Sequence, residues 1–229
     1  MKIRSLFFVF ILFSTLGFGQ EKVKNKSWIV KFNPTHTIDF FTFPAVTFAV
    51  EKRFTRSFGI NFEIGNQLYE FRNRDVDTIF KKSKGIKTNI EGRWYLRSKS
   101  SSDPSGFYSG LQLFYRQNEF TRSISYLREE GSQNTNSYLD EFGVRKTAFG
   151  TIFIVGYQYI APCNVMIESY CGWGWMNRQI KNYNREFDKS TDVIVEGVDQ
   201  QFNRASVDLV EASGNTIILT IGIRVGYRF

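Results

Sequence analysis

His36 is the only histidine of this 229-residue chain, and it stands in the stretch Thr35-His36-Thr37-Ile38-Asp39. A histidine becomes a general base when a carboxylate orients it and a hydroxyl waits to be deprotonated. All three group types fall within five residues here, so a catalytic site with His36 as general base is one reading. Proximity in sequence does not make the groups converge, and a loop histidine is more often a solvated surface residue. A second candidate is the acidic series Glu186, Asp188, Asp192, Glu196 and Asp199. Carboxylates can bind a divalent cation, but the ordered ligand spacing of a calcium loop is missing. The series reads as a hydrated loop face. Cys163 and Cys171 lie at the two ends of one expected strand segment. At about 3.3 Å per residue they would be ~26 Å apart, so both are expected as free thiols. With His36 far away in sequence, they form no zinc site. No glycine motif cradles a phosphate, and Gly172-Trp173-Gly174 reads as interior space within a strand. No catalytic, cofactor-binding or metal residue is assigned on this basis.

The elements that would position these residues show a period of two. Side chains on a strand alternate faces, so an apolar/polar alternation marks a sheet with two different environments. Eight such runs are present. Trp28 to Phe32 is the first and shortest. Val46, Phe48 and Val50 alternate with Thr47, Ala49 and Glu51; Phe58, Ile60, Phe62 and Ile64 alternate with Gly59, Asn61, Glu63 and Gly65. Ile86, Ile90, Trp94 and Leu96 face away from Lys87, Asn89, Glu91, Arg93 and Tyr95. Phe107, Leu111, Leu113 and Tyr115 oppose Tyr108, Gly110, Gln112 and Arg116. Thr147 to Tyr159 is apolar on both sides, so its register stays open. Val165, Ile167, Trp173 and Trp175 oppose Glu168, Tyr170, Gly172 and Gly174. The last run, Leu219 to Phe229, is strictly alternating and places Tyr227 and Phe229 on the apolar face.

Connections alternate too. Thr55-Arg56, Ser98 to Ser105 and Ala161 to Asn164 are short; Asn33 to Phe43, Glu70 to Lys84, Asn118 to Phe142 and Asn177 to Ala212 are long. An even strand count with short turns at one end and long loops at the other is the pattern of an outer-membrane barrel. A secreted β-sandwich supplies no reason for long and short connections to take turns. Aromatic residues make up 17% of the chain and mark both ends of the runs, as girdles at two membrane interfaces do. At the N-terminus, Lys2 and Arg4 precede an apolar run from Leu6 to Leu12, then Gly17-Phe18-Gly19. This reads as a secretory signal peptide, residues 1–19, cut before Gln20, leaving 20–229 as one domain. An N-terminal membrane anchor would need a longer apolar run.

The chain carries a net charge of +8 at pH 7. Its four long connections are net acidic, so the basic excess belongs to strands and turns. A nucleic-acid surface wants an accessible basic patch, and that class is not expected. Glu51, Arg53, Glu63, Lys87, Glu91, Arg93, Glu168 and Arg224 all fall on the polar side of their runs, as do Arg116 and Arg228. An eight-stranded interior is just wide enough for side chains to fill, and buried charges must be paired. The expectation is a packed ion-pair network in place of an apolar core.

Gly-Ile-Arg-Val-Gly-Tyr-Arg-Phe at the C-terminus resembles the terminal strand of outer-membrane barrels, which the barrel-assembly machinery reads in that family. The whole of residues 20–229 resembles the small eight-stranded barrels of the outer-membrane protein A and X type, without a peptidoglycan-binding domain. The resemblance implies an all-β, antiparallel, up-and-down transmembrane barrel in a bacterial outer membrane, both termini periplasmic. It implies outer-membrane lipid as surroundings and Tyr227 and Phe229 as an insertion signal. The expected role is non-enzymatic: membrane structure, and display of external loops to an extracellular or outer-membrane protein partner. Some barrels of this kind modify lipids, which makes His36 the alternative; a narrow solute channel is the third reading. Within the last long connection, Val193-Ile194-Val195 could extend the strands and offer an edge to a partner.

Overall fold

The computed structural model describes residues 28–39, 42–55, 57–67, 81–96, 105–129, 135–188, 190–194 and 211–229. The expected signal peptide lies outside them. Among the described residues the eight alternating runs become eight strands, and a short strand, β8, is added between the last two: β1 (Trp28–Phe32), β2 (Ala45–Arg53), β3 (Phe58–Gln67), β4 (Lys81–Leu96), β5 (Gly106–Glu129), β6 (Thr135–Ile160), β7 (Val165–Tyr183), β8 (Asp192–Ile194) and β9 (Ala212–Arg228). One 3-10 turn, Pro34–Ile38, follows β1, and no α-helix occurs among the described residues. The β6–β7 turn is tight because Asn164 accepts a left-handed conformation (φ 66°), which asparagine tolerates better than most residues.

All pairings are antiparallel, in the order β4-β3-β2-β1-β9-β7-β6-β5, and β4 pairs again with β5. Eight strands therefore close into a ring. The register fixes its stagger. Following partners from Phe32 through Phe48, Ile64, Thr88, Tyr115, Phe149 and Asn177 arrives at Asn215. Yet Phe32 itself pairs with Val225, ten residues along β9 from Asn215. With strands about 4.8 Å apart and a rise of about 3.3 Å, that offset tilts the strands by about 40° from the ring axis.

The two faces are inverted relative to a water-soluble protein. Outward residues Phe149 to Tyr159 on β6, Val165 to Trp175 on β7 and Ile217 to Tyr227 on β9 are apolar or aromatic with few exceptions, and exposed. Each series covers ten residue steps, or about 25 Å along the axis at this tilt. The inward face holds Lys31, Glu51, Glu63, Lys87, Glu91, Arg93, Glu168 and Arg224, all buried. The ambiguous run resolves here: Ile152, Ile154 and Gln158 point inward, while Phe153, Val155 and Tyr157 point outward.

Several expectations are corrected. The connection Asn118 to Phe142 is not a loop: β5 and β6 pair continuously up to Glu129↔Thr135. The connection after Asn177 begins later, because β7 runs to Tyr183, and part of it forms β8. β4 begins at Lys81, inside the expected Glu70–Lys84 connection, whose residues 68–80 lie outside the described ones. In these upper stretches most outward residues are polar or charged, Leu139 and Tyr183 being exceptions, so the apolar alternation that marks a strand lower down is broken. The interior is also not wholly ionic. Tyr95, Tyr108, Phe114, Ile152, Ile154, Tyr170 and Ile218 form an apolar cluster beside the charges. Gly156 and Gly222 leave room for two of these rings: a Cβ at Gly156 would stand 2.6 Å from the Tyr108 ring, and one at Gly222 would strike Tyr170.

The β1–β9 junction is the weakest stretch of the ring, since Ile29 to Phe32 supply only four paired positions. Beyond them the 3-10 turn takes over. Thr35 Oγ1 accepts from the Ile223 amide at 2.7 Å and donates to the Ile223 carbonyl at 3.2 Å. One hydroxyl thus stands in for a paired residue. Higher on β9 no described strand pairs with this edge, and Ile217, Leu219 and Ile221 are 76–79% exposed.

Candidate functional site

Because inward positions recur at every second residue, strands from opposite walls bring their charges together in the ring's interior. Lys31 Nζ donates to Glu51 Oε2 and Glu168 Oε2, each at 2.5 Å. Arg93 Nη1 donates to the same two oxygens at 2.8 Å. Its Nη2 reaches Glu91 Oε2 at 2.9 Å and Glu168 Oε1 at 3.0 Å. Arg224 joins Glu63 (Nε, 2.8 Å) to Glu168 (Nη1, 2.5 Å). Tyr108 donates to Glu168 at 2.8 Å, and the Tyr95 hydroxyl donates to Glu51. Glu168 is the hub, and β1, β2, β3, β4, β7 and β9 are cross-linked through it and its neighbours. Such an array survives without water only because nearly every charge meets an opposite one.

Three of the expected charged residues sit at the edge of this network. Arg53 is buried with its guanidinium 3.4 Å from the Tyr95 ring centroid. Lys87 pairs with Asp39 at 2.8 Å rather than with the central carboxylates. Arg116 lies over Phe114 at 4.9 Å. Arg228 points to the turn, donating to Asn164 Oδ1 at 3.0 Å. Lys31 was missed, although it shares the inward parity of Ile29 between outward Trp28, Val30 and Phe32. The interior tyrosines were missed because tyrosine suits either face of a strand.

His36 is not a solvated loop residue. It is buried, and its Nδ1 lies 3.1 Å from Thr47 Oγ1 and 3.3 Å from Glu63 Oε1. A catalytic relay passes a proton between opposite ring nitrogens, one facing the hydroxyl and the other the carboxylate. Here both contacts converge on one nitrogen. The neighbouring groups are committed elsewhere: Thr35 to Ile223, Thr37 to the Pro34 carbonyl (2.7 Å), Asp39 to Lys87 and Thr42. The Thr35/His36/Thr37/Asp39 set does not converge, because a 3-10 turn fans successive side chains in different directions.

The acidic series is likewise dispersed. Arg128 grips Asp192 with Nε and Nη2, both at 2.7 Å, clipping β8 onto β5 through Arg128↔Asp192 and Leu127↔Val193. Those two hydrogen bonds hold the Asp192 carboxyl well below the ordinary carboxylate range. Asp188 caps Ser190, and the Asp188 amide in turn donates to Asp192 at 2.8 Å. Glu196 and Asp199 lie outside the described residues. Among the described residues no group of three or more His, Cys, Asp and Glu could hold a metal ion. Cys163 and Cys171 are free and exposed. Below β8, Tyr126 stacks on Tyr138 at 5.7 Å and receives the edge of Phe187 at 5.6 Å. The upper hairpin thus has its own aromatic packing.

No family model, no curated protein and no solved structure matches this chain.

Proposed function

We propose that the chain is an eight-stranded outer-membrane β-barrel, resembling the outer-membrane protein A and X type, that acts as a scaffold and displays its upper hairpins for binding. The observation that carries this reading is the inversion of faces: an outward apolar belt about 25 Å tall around an interior of buried, paired charges. That height equals the apolar band of membrane barrels. In water, so large an exposed apolar surface would drive association. Trp28 and Phe229 meet at one end, where the Phe229 amide donates to the Trp28 carbonyl at 2.9 Å. That shared end supports reading it as the periplasmic one, with Tyr227 and Phe229 offered to the assembly machinery. The opposite end carries the extended β5–β6 hairpin and β8, whose outer edge at Val193 has no partner strand among the described residues and could receive one from another protein. The cross-linked interior supports a non-conducting scaffold rather than a channel, and the geometry at His36 favours binding over catalysis.

Reconstitution tests the reading directly. The full chain should insert into lipid vesicles, resist proteolysis across the belt, and give no single-channel conductance. Replacing Val193 and Thr191 by proline should leave insertion intact and abolish capture of an outer-membrane partner. Chain that stays outside vesicles, or steady ion conductance, refutes the proposal.

A further inference from the structure

Above the belt, one row of outward residues is charged across four consecutive strands. Lys84 on β4 pairs with Glu119 on β5, Glu119 with Arg145 on β6, and Arg145 with Lys181 on β7. Lys84 Nζ reaches Glu119 at 3.0 Å and Arg145 Nε reaches it at 2.5 Å. So a single carboxylate, nearly covered, takes two cations. Lys181 is exposed, and no carboxylate among the described residues lies within ion-pair distance of it. It faces Arg145 directly across the strands, where Cβ atoms are about 5 Å apart and like charges repel. Lys84 and Arg145 keep much of their side chains in solvent (78% and 51%). Glu211, whose carboxylate accepts from the Asn182 amide at 2.9 Å beside Lys181, ends the row. With Glu119 and Glu211 both counted, three cations still face two carboxylates, and the exposed cations keep donors in solvent to engage an anion.

Its height is informative. Lys84 stands two residues above Ile86, Arg145 four above Phe149, and Lys181 six above Trp175. At a tilt of about 40° these steps are about 5, 10 and 15 Å above the belt. The Tyr115 hydroxyl, at the belt's upper aromatic edge, donates to Gln117 at 2.6 Å, and Gln117 donates to Glu119 at 2.9 Å. A continuous polar ladder thus leads from the aromatic edge to the charged row. Long cationic side chains reach down from such positions toward a headgroup layer.

We infer that the Lys84–Arg145–Lys181 row binds the phosphate of an anionic lipid headgroup in the leaflet around the upper end of the ring. This rests on the membrane reading above. The phosphate takes the place that Glu119 cannot fill: it lies below Arg145 and Lys181, at the level of Lys84, where the long side chains of both reach down to it, and its charge relieves their repulsion. Gln117 and Gln179, the uncharged residues one outward step lower on β5 and β7, supply further donors near it.

The test reconstitutes the full chain in phosphatidylcholine vesicles with and without phosphatidylglycerol, then counts retained lipids by native mass spectrometry after detergent extraction. The unaltered chain should retain phosphatidylglycerol preferentially. Lys181→Gln, which breaks no ion pair, should reduce that preference about five-fold, the effect of one cation near an anionic surface. A neutral row (Lys84→Gln, Glu119→Gln, Arg145→Gln, Lys181→Gln) should remove the preference without orphaning a charge. Equal retention of both lipids by the unaltered chain, or a preference that survives in the neutral row, overturns the inference. Inorganic phosphate that binds the row while no lipid preference exists assigns it to a soluble phosphate compound and overturns the lipid source. Chain that fails to insert into either vesicle refutes the membrane reading and this inference with it; insertion without headgroup preference refutes only the inference.

Discussion

Lys31→Met is the sharpest probe of the interior. Lys31 Nζ lies 2.5 Å from Glu51 Oε2 and 2.5 Å from Glu168 Oε2, so these oxygens are no more than 5 Å apart. Methionine fills a similar volume but leaves the two carboxylates to share Arg93. At an effective dielectric of 20, two unit charges 5 Å apart repel by about 3 kcal/mol. Breaking one partner out of a buried ion cluster costs about 3–5 kcal/mol in general, in agreement with that figure. With a urea slope of about 2 kcal/mol per molar, the midpoint should fall by about 2 M. The assay is urea unfolding of vesicle-reconstituted chain, followed by tryptophan fluorescence. Glu51→Gln added to Lys31→Met removes the repulsion, and the double variant should recover more than half of the lost stability. A shift below about 0.5 M, or a double variant no more stable than the single one, would mean that water screens the interior. The reasoning about a dry, locked network would then fail.

Three further outcomes follow from particular positions. Ile221→Arg, on the outward face near the middle of the belt on β9, should destabilise the inserted chain by about 2–4 kcal/mol, measured by the same unfolding assay. Thr220→Arg points inward and its cost is set by protein neighbours; a harmless Ile221→Arg beside a non-folding Thr220→Arg would invert the register. Thr35→Val deletes both partners of the Ile223 main chain at the β1–β9 junction, and should cost about 1–3 kcal/mol and speed amide exchange there. The hydrogen bonds from Arg128 lower the folded-state pKa of Asp192 from the ordinary 3.8, so its contribution is complete above that value and is lost as pH falls through the still lower folded value. Hydrogen exchange at 192–194 should therefore stay slow down to about pH 4 and rise only in stronger acid, while Asp192→Asn should release β8 at neutral pH.

The period-two alternation is a local property, and it was enough to place the eight strands of the ring, the faces of all but the Thr147 to Tyr159 run, and the short turns at Thr55 and at Ala161 to Asn164. Phe58 to Ile64 or Leu219 to Phe229 can be read without any partner, because a strand with one apolar face needs no other information. The parity of Glu51, Glu63, Arg93, Glu168 and Arg224 followed from the same rule. Where outward residues no longer alternate with polar ones, the signal vanished: β5 and β6 above Asn118, and β7 above Asn177, looked like loops because no apolar surface is needed there. Thr147 to Tyr159 was apolar on both faces, and only the neighbouring strands decided that Ile152 and Ile154 turn inward. The ten-residue stagger, the Thr35 hydroxyl closing on Ile223, and the choice of Glu168 as the hub depend on contacts between residues far apart in the chain. Lys31 and Glu168 are 137 positions apart, and no local pattern brings them to 2.5 Å. Ring closure does, because it fixes every inward side chain against the opposite wall at once.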